Sequence, residues 1–366
     1  MLSGWIRIGI AAALLAATSW CSDPDLLTTD IQLGLQRHRQ ILERWRLLDH
    51  GEVAGLVARV GLQLGQAPGW NAPVPLSLYL VDDPEINAFA TGGGRVYVTA
   101  GMVAALQGSE GMLAFVLGHE MAHNALQHGA KRVLRHYIFE KAHAEMLSRC
   151  RREDNPACLT AAGAAQIGFL IAEKKRERNE EHEADLLGMM AAAEAGYHPN
   201  FAVLVARRLR EVTREQSKFA AFFSTHPRWT TREERALRHY AEARQVFAHR
   251  WPIAELSPGG APPPLAVLSK PEVRKDRGST RIRAVLSLYD AGPAPATIRL
   301  ELIGEQPLPQ QVFAERLLDP PETSPHEIVF ELPRDFARGI RGKVWARLVV
   351  YGAAGLIYQS HDVRVR

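Results

Sequence analysis

The hydrophobic positions of the first 250 residues recur mainly at helical spacing. Residues 26–68 carry apolar side chains every three to four positions, which predicts an amphipathic helical region. Residues 161–172 form a small, apolar helical segment that is shorter than a membrane span, and we expect this segment to lie in the core. Further helical patterns cover residues 103–129, 131–148, 174–195, 200–217 and 231–250.

Two short segments between these helices alternate apolar and polar residues. Residues 76–81 and 95–99 therefore predict strands of a small sheet. Gly92, Gly93 and Gly94 lead into the second strand, and no Lys-Ser or Lys-Thr pair follows them. The glycines thus predict a tight turn and not a phosphate-binding loop.

The pattern changes after residue 251. Residues 252–264 contain five prolines and two glycines, a composition typical of a linker. The segments that follow are short, alternating and separated by turns rich in Gly and Pro, which predicts an all-β sandwich. The predicted strands cover residues 281–289, 296–303, 327–332, 343–351 and 356–365.

Composition and charge change this picture little. The chain has 366 residues, of which 23% are charged and 46% hydrophobic, with a net charge of +4. These values are ordinary for a folded protein that can bury a large core. No cluster of basic residues is interleaved with aromatics, so nucleic-acid binding is not predicted. The mild positive charge allows a membrane-surface or envelope-protein association, although a solvated surface is the simpler interpretation.

The first residues have the pattern of an export signal. Arg7 is the only early charge, and residues 8–17 form an apolar stretch of signal-peptide length. Small residues at 17–19 predict cleavage, which favours an exported, soluble form. Cys21 raises the alternative of a lipoprotein, but Trp20 stands where a small residue is expected before the lipidated cysteine. An uncleaved anchor is the third possibility.

Cys150 and Cys158 flank a stretch with charges and a proline, which we interpret as a loop between two helices. In an oxidising compartment a disulfide would close this loop and contribute about 2–3 kcal/mol. The alternative is two free thiols, as expected in the cytosol. No other Cys or His stands at ligand spacing here, so a metal site is not predicted at this position.

The strongest chemical signal is the H-E-x-x-H pattern of His119, Glu120 and His123. Two histidines four residues apart share one face of a helix, so both imidazoles can reach one metal ion. Glu120 lies beside that face, where it can take a proton from a water whose pKa zinc lowers to about 7. Ser109 and Glu110 predict the start of this helix. The rest of the helix is apolar, so burying the charged Glu120 between the two histidines would be costly without a ligand.

Catalytic zinc needs a third protein ligand and an open fourth position. Glu181 and Asp185 are four residues apart and share a helix face, so one could bind the metal while the other supports a ligand. Spacing alone does not exclude Glu180 or Glu183. The small residues on the same face, which would let it approach another helix closely, are Ala184 and Gly188.

The H-E-M-A-H segment followed by E-H-E-A-D resembles the M48 zinc metallopeptidases, a group that includes periplasmic proteases and the CAAX prenyl protease. That family has H-E-x-x-H followed by E-x-x-A-D, and the first Glu is its third zinc ligand. The resemblance extends over roughly residues 30–250. It implies that Glu181 is the ligand and Asp185 the supporting acid. Three further segments match the family, at residues 87–99, 195–199 and 224–227.

The resemblance implies a zinc endopeptidase with one Zn²⁺ per chain, acting on protein or peptide substrates in periplasmic quality control. For residues 30–250 the resemblance implies a mainly helical, zincin-like domain with a small sheet. Together with the all-β sandwich-like domain that the strand pattern predicts, and whose partner the sequence does not name, the expected fold class is α+β. We therefore expect four parts, which are a signal peptide at residues 1–24, the metallopeptidase domain at 25–251, a Pro-rich linker at 252–266 and the β domain at 267–366.

The resemblance also implies roles for residues outside the metal-binding motifs. His226, in the T-H-P segment, is a candidate for stabilising the oxyanion or regulating access to zinc, and a packed loop histidine is the alternative. Arg232 would brace that loop through a salt bridge. A substrate peptide could add as a strand to an exposed strand edge formed by Arg95, Val96, Tyr97, Val98 and Thr99.

Two other functional classes are compatible with the sequence. One is a chaperone-like binding protein with a latent zinc site, and the intact motif counts against it. The other is a non-peptide, metal-dependent amidohydrolase, and the lack of cell-wall-binding repeats counts against that. Zinc is inferred from the ligand types, and other divalent metals can occupy such sites.

Overall fold

A computed structural model of the chain provides the geometry. It describes residues 24–68, 70, 72–215, 231–275, 279–289, 296–304, 311–318, 325–333, 343–352, 355–359 and 362–365. The chain divides between Ala261 and Pro262 into two compact units. The predicted α+β class, with a mainly helical first part and a sandwich-like β part, is confirmed.

The first unit is built mainly of helices. Its helices are α1 (Pro24–Arg44), α2 (Glu52–Gly65), α3 (Ala100–Ala105), α4 (Glu110–Ala125), α5 (His128–Arg152), α6 (Pro156–Glu194), α7 (Asn200–Glu215) and α8 (Arg232–Arg250). The predicted helical region at 26–68 is therefore two helices, with a short strand between them. The region at 103–129 is also interrupted, because Gln107 and Gly108 adopt positive φ angles of 55° and 67° that no helix allows.

A four-stranded sheet lies in the same unit. Its strands are β1 (Leu47–Leu48), β2 (Ser77–Val81), β3 (Ala88–Gly92) and β4 (Arg95–Thr99), in the order β1-β2-β4-β3. Strands β2 and β4 are parallel, and β3 pairs antiparallel with β4. The glycine run makes the expected turn, with φ of 90°, 59° and 73° at Gly92, Gly93 and Gly94, values that favour glycine.

The expectation that residues 95–99 form an exposed strand edge is wrong. The glycine turn folds β3 back onto β4, so β4 is paired on both sides and the edge strands of the sheet are β1 and β3. The side chains of β4 after its first residue are also buried. A substrate therefore cannot pair with β4. The residues affected by this correction are Arg95, Val96, Tyr97, Val98 and Thr99.

Helix α4 lies in the middle of the core, and its packing agrees with its sequence. Ser109 caps it, since the Ser109 hydroxyl accepts a hydrogen bond from the Met112 amide at 3.3 Å. The helix approaches α6 most closely where two glycines meet: a Cβ on Gly188 would lie 2.6 Å from the His119 amide nitrogen, and a Cβ on Gly118 would lie 2.8 Å from the Gly188 carbonyl oxygen. The close approach expected of the small residues on α6 is thus observed.

Helices α5 and α6 form a long antiparallel hairpin joined by three residues. Cys150 in the last turn of α5 and Cys158 in the first turn of α6 are joined by a disulfide, with Cα atoms 5.3 Å apart. The loop expected around these cysteines is therefore much shorter, because both helices extend almost to the turn. Asn155 caps α6 by accepting a hydrogen bond from the Cys158 amide at 3.1 Å.

The expectation that residues 161–172 lie in the core is wrong. This segment is the first half of α6, and most of its side chains are exposed, because α5 covers only one side of it. Among the helices in the described ranges, α6 alone is long and apolar enough, by length and composition, to cross a membrane.

The second unit is a β-sandwich of two antiparallel sheets. The strands are β5 (Leu265–Leu268), β6 (Glu272–Lys275), β7 (Ser279–Tyr289), β8 (Ala296–Gly304), β9 (Gln311–Leu318), β10 (His326–Pro333), β11 (Val344–Gly352), β12 (Gly355–Gln359) and β13 (Val363–Arg364). One sheet has the order β10-β7-β5, with β6 also paired to β7. The other sheet has the order β12-β11-β8-β9, with β13 also paired to β11. Alternate residues of both sheets meet in one core, which includes Leu286, Leu300 and Val350.

Candidate metal centre

Three buried side chains from two helices converge at the middle of the first unit. His119 and His123 come from one face of α4, and Glu181 comes from α6, which crosses beside it. The Nε2 atoms of the two histidines are 3.1 Å apart. Glu181 Oε1 lies 3.3 Å from Nε2 of His123, and Glu181 Oε2 lies 3.7 Å from Nε2 of His119. These atoms therefore form a compact donor cluster.

The separations fit a tetrahedral metal site. Ligand bonds of about 2.0–2.1 Å place neighbouring donor atoms about 3.3 Å apart in a tetrahedron. The observed separations are 3.1, 3.3 and 3.7 Å, so one equals that value and the other two lie close to it. Two imidazoles and one carboxylate form the donor set of many catalytic sites, in which a fourth position stays open to water or substrate.

Asp185 contacts His119 on the ring nitrogen that does not face the donor cluster. Its Oδ1 lies 3.1 Å from Nδ1 of His119, so the ring can donate its Nδ1 proton to the carboxylate and keep Nε2 as a donor for the metal. Burial alone would raise the pKa of Asp185, but the charge of Arg232 and the contact with His119 outweigh burial and hold it below its usual range. Burial, reinforced by Arg232, lowers the pKa of His119 to about 4, so this ring is neutral at pH 7, as a ligand must be.

Two arginines from one turn of α8 neutralise the carboxylates. Arg232 donates a hydrogen bond from Nη2 to Glu181 Oε2, and its Nη1 lies 3.4 Å from Asp185 Oδ1. Arg235 donates from Nη1 to Asp185 Oδ2 at 3.1 Å. Arg232 was expected to brace the T-H-P loop. That loop and His226 lie outside the described residues, so this role stays a prediction. Among the described residues, Arg232 contacts the carboxylates of the site and, from Nη2, Nε2 of His119 at 3.3 Å.

His128 is a residue of this site that the sequence reasoning missed. Its Nδ1 lies 2.9 Å from Nδ1 of His123, and its Nε2 lies 3.3 Å from Glu183 Oε2. Burial and the neighbouring His123 lower the pKa of His128 to about 2, so this ring is neutral. If His123 keeps Nε2 for the metal, its Nδ1–H donates to His128, and His128 donates from Nε2 to Glu183. The available signal was a histidine five residues after His123.

The other two glutamates near Glu181 have different partners. Glu180 accepts a hydrogen bond from Arg135 Nη2 at 2.9 Å, and Glu183 contacts His128 with a side chain that is more than half exposed. Among the described residues, the donor cluster draws only Glu181 from this part of α6. The geometry thus favours Glu181 over both alternatives.

Glu120 lies next to the cluster at the wall of a pocket. The side chain is buried, and His119 and Asp185 line the same pocket. Apolar residues of α4, α6, α7 and α8 line most of this pocket, and Arg232 and Arg235 lie at its polar side. The apolar lining residues are Phe115, Val116, Met189, Ala202, Val205, Ala206 and Ala236. The donor cluster therefore has beside it both a carboxylate and a space lined by apolar side chains.

Comparisons with known proteins agree with this geometry. A model of "Peptidase family M48" matches residues 55–240, about half of the chain. The "Mitochondrial metalloendopeptidase OMA1" of Schizosaccharomyces pombe is 30% identical over 150 residues, covering 41% of this chain and 42% of that protein. The "Putative beta-barrel assembly-enhancing protease" of Vibrio cholerae is 31% identical over 172 residues, covering 44% of this chain and 35% of that protein.

The chain thus spans about two fifths of the length of these relatives. Among solved structures, a β-glucosidase 3B from Thermotoga neapolitana in complex with glucose matches 27% of this chain and 16% of that chain. The identity is 14% and the TM-score is 0.21, a likeness that carries no argument. The family match covers every described residue of the metal centre.

Proposed function

The chain belongs to peptidase family M48, and on that premise we propose that it is a zinc-dependent endopeptidase that cleaves unfolded or misassembled envelope proteins. The observation that carries the proposal is the cluster of His119, His123 and Glu181 with Glu120 beside it. We assign this activity to the first unit. For the β-sandwich we propose no catalytic role.

The family implies a divalent metal, and the donor set supports zinc. Two imidazole nitrogens and one carboxylate oxygen suit zinc, whereas calcium and magnesium prefer oxygen ligands alone. A zinc ion at this site would polarise the scissile carbonyl and lower the pKa of the attacking water to about 7. We propose one zinc per chain, held by His119, His123 and Glu181.

The residues around the cluster then have distinct tasks. Glu120 accepts the proton of the attacking water and passes it to the leaving amine. Asp185 and His128 fix the orientation and tautomer of the two histidines. Arg232 holds Glu181 and, with Arg235, offsets the negative charge of the two carboxylates. We propose that His226 contacts the oxyanion or regulates access, as the family resemblance implies.

Several features support a protein substrate. The pocket beside Glu120 is lined by apolar side chains, which suits the side chain of a residue next to the cleaved bond. Strand β3 is one of the two edge strands of the small sheet, so an extended peptide could pair with it. Unfolded segments offer both an extended backbone and exposed apolar side chains.

The proposed location is the periplasm. The N-terminal segment has the pattern of an export signal, and the Cys150–Cys158 disulfide is typical of an oxidising compartment. One relative is named a beta-barrel assembly-enhancing protease, which supports an action on envelope proteins.

Cleavage of unfolded casein by the wild type and Glu120→Gln tests the activity. Glu120→Gln keeps the size of the side chain but cannot accept the proton, so cleavage should fall by about 10²- to 10⁴-fold. Zinc content should stay at one per chain in both proteins, which shows that the fold and the ligands are intact.

Two results would contradict the proposal. Equal cleavage by both proteins would assign the activity to another site or to a contaminant. A wild type that binds zinc and suppresses casein aggregation without cleaving it would favour a binding protein with a latent site.

A further inference from the structure

The first half of α6 has an unusual surface. Residues 156–172 carry no charged side chain, yet most of them are exposed to solvent. The segment is about 25 Å long at 1.5 Å per residue. Two large apolar residues near its end, Ile167 and Ile171, are 62% and 66% exposed. An exposed apolar strip of this length indicates an interaction surface.

The strip lies on the side of α6 that faces away from α5. Phe169 stacks on Phe139 of α5 with ring centroids 4.0 Å apart, which marks the inner side. Ile167 and Ile171 are each two residues from Phe169, so they point about 160° away from it. The outer face of α6, defined here by Leu159, Ile167, Leu170 and Ile171, is therefore not covered by the hairpin partner.

Basic residues continue this outer face toward the metal centre. Lys174, Lys175 and Arg178 follow Ile171 at spacings of three, four and seven residues, which places them in line with the strip. The two nearby acids form ion pairs, one of them with Lys174 of this set. Glu173 is buried against Arg135 and Arg176, and Glu177 pairs with Lys174. Positive charge is thus in excess at this end of the strip.

Apolar residues followed by cations on one helix face fit a lipid surface. Such a helix lies in the plane of the interface, with its apolar side among the upper acyl chains and its cations on the phosphates. A membrane-spanning arrangement does not fit, because the adjacent α5 carries Glu140, Lys141 and Glu145 at the same level, and charges in the bilayer centre are costly.

We propose that the outer face of α6, together with Lys174, Lys175 and Arg178, docks the protein on an anionic membrane surface. The same helix carries Glu181, which lies ten residues beyond Ile171, about 15 Å along the helix axis. Docking would therefore hold the metal centre close to the bilayer. This inference goes beyond the proposed peptidase activity and does not depend on it.

Sedimentation with sucrose-loaded vesicles of 30% phosphatidylglycerol and 70% phosphatidylcholine tests the docking surface, with the full chain throughout. The wild type should bind, and Ile167→Glu/Ile171→Glu should weaken the partition coefficient at least about tenfold, because each change places a charge in the apolar contact. Every variant carries the same N-terminal segment, so any contribution of that segment cancels in the comparison.

A matched control comes from α5. Leu134 and Ile138 are also exposed, at 43% and 59%, and also four residues apart, but they lie on the other helix of the hairpin. Leu134→Glu/Ile138→Glu makes the same charge change and should leave vesicle binding near the wild-type level. Equal losses in both double variants would overturn the assignment to α6.

The charge contribution is tested separately. Lys175→Gln/Arg178→Gln should weaken binding to these vesicles about fivefold for each charge removed. The same variant should bind pure phosphatidylcholine vesicles as weakly as the wild type does. No effect on the anionic vesicles would overturn the role of the cations.

Casein cleavage should be unchanged in all three variants, so a failure of docking is distinguishable from a failure of the proposed peptidase activity. Light scattering after gel filtration detects the competing occupant, a second copy of this chain. A wild-type dimer that Ile167→Glu/Ile171→Glu converts to a monomer, with no vesicle binding, would overturn the proposal.

Discussion

Asp185 Oδ1 lies 3.1 Å from Nδ1 of His119, while Nε2 of the same ring faces Glu181 one helical turn earlier on α6. A single helix thus supplies both a candidate ligand and the carboxylate that orients another ligand. This arrangement makes the affinity for metal depend on a residue that does not touch the metal.

Asp185→Asn should therefore weaken zinc binding by about 10- to 100-fold while leaving the fold intact. The amide keeps the shape of the side chain but not the charge that stabilises the Nδ1 proton of His119. Competition with a chromophoric chelator measures the dissociation constant. Glu177→Gln, at a partly exposed position of the same helix where the side chain pairs with Lys174, is the control and should bind zinc like the wild type. Identical affinities for the two variants would show that Asp185 does not support His119.

His128→Ala should weaken zinc binding about tenfold, because His123 loses the acceptor for its Nδ1 proton. The same chelator competition gives the affinity. His136→Ala, two turns further along α5 and partly exposed, is a matched control that should leave the affinity unchanged. Wild-type zinc affinity in His128→Ala would remove His128 from the site.

Gly188→Ala should destabilise the first unit by about 1–3 kcal/mol, because its new Cβ would meet the His119 backbone, which cannot move freely. Gly163→Ala lies in the same helix but points into open space. That control should stabilise the chain by up to about 1 kcal/mol through helix propensity. Urea unfolding followed by circular dichroism compares the two midpoints. A Gly188→Ala midpoint at or above that of Gly163→Ala would show that the glycine contact is dispensable.

The local parts of the centre follow from the sequence. A four-residue spacing within one helix is enough to bring His119 and His123 together, and Glu120 follows from the same periodicity. Glu181 is different, because its face depends on how α6 crosses α4 at the two glycines. Spacing alone left Glu180 and Glu183 open, and only the family resemblance preferred Glu181.

The errors in the fold have related causes. Strand β4 was expected at an exposed edge because its pairing with β3 and β2 is invisible in a local pattern. Residues 161–172 were expected in the core because apolar composition does not distinguish a buried segment from an exposed one. His128 was missed since its contact with Glu183 joins α5 to a residue more than fifty positions away.

The zinc content of the purified chain tests the central claim most directly, compared between the wild type, Glu181→Ala and Glu183→Ala. We predict about one zinc per chain in the wild type and in Glu183→Ala. In Glu181→Ala we predict that the chain loses both its zinc and its ability to cleave casein. Full zinc occupancy in Glu181→Ala would contradict the assignment of Glu181 as third ligand and with it the proposed centre.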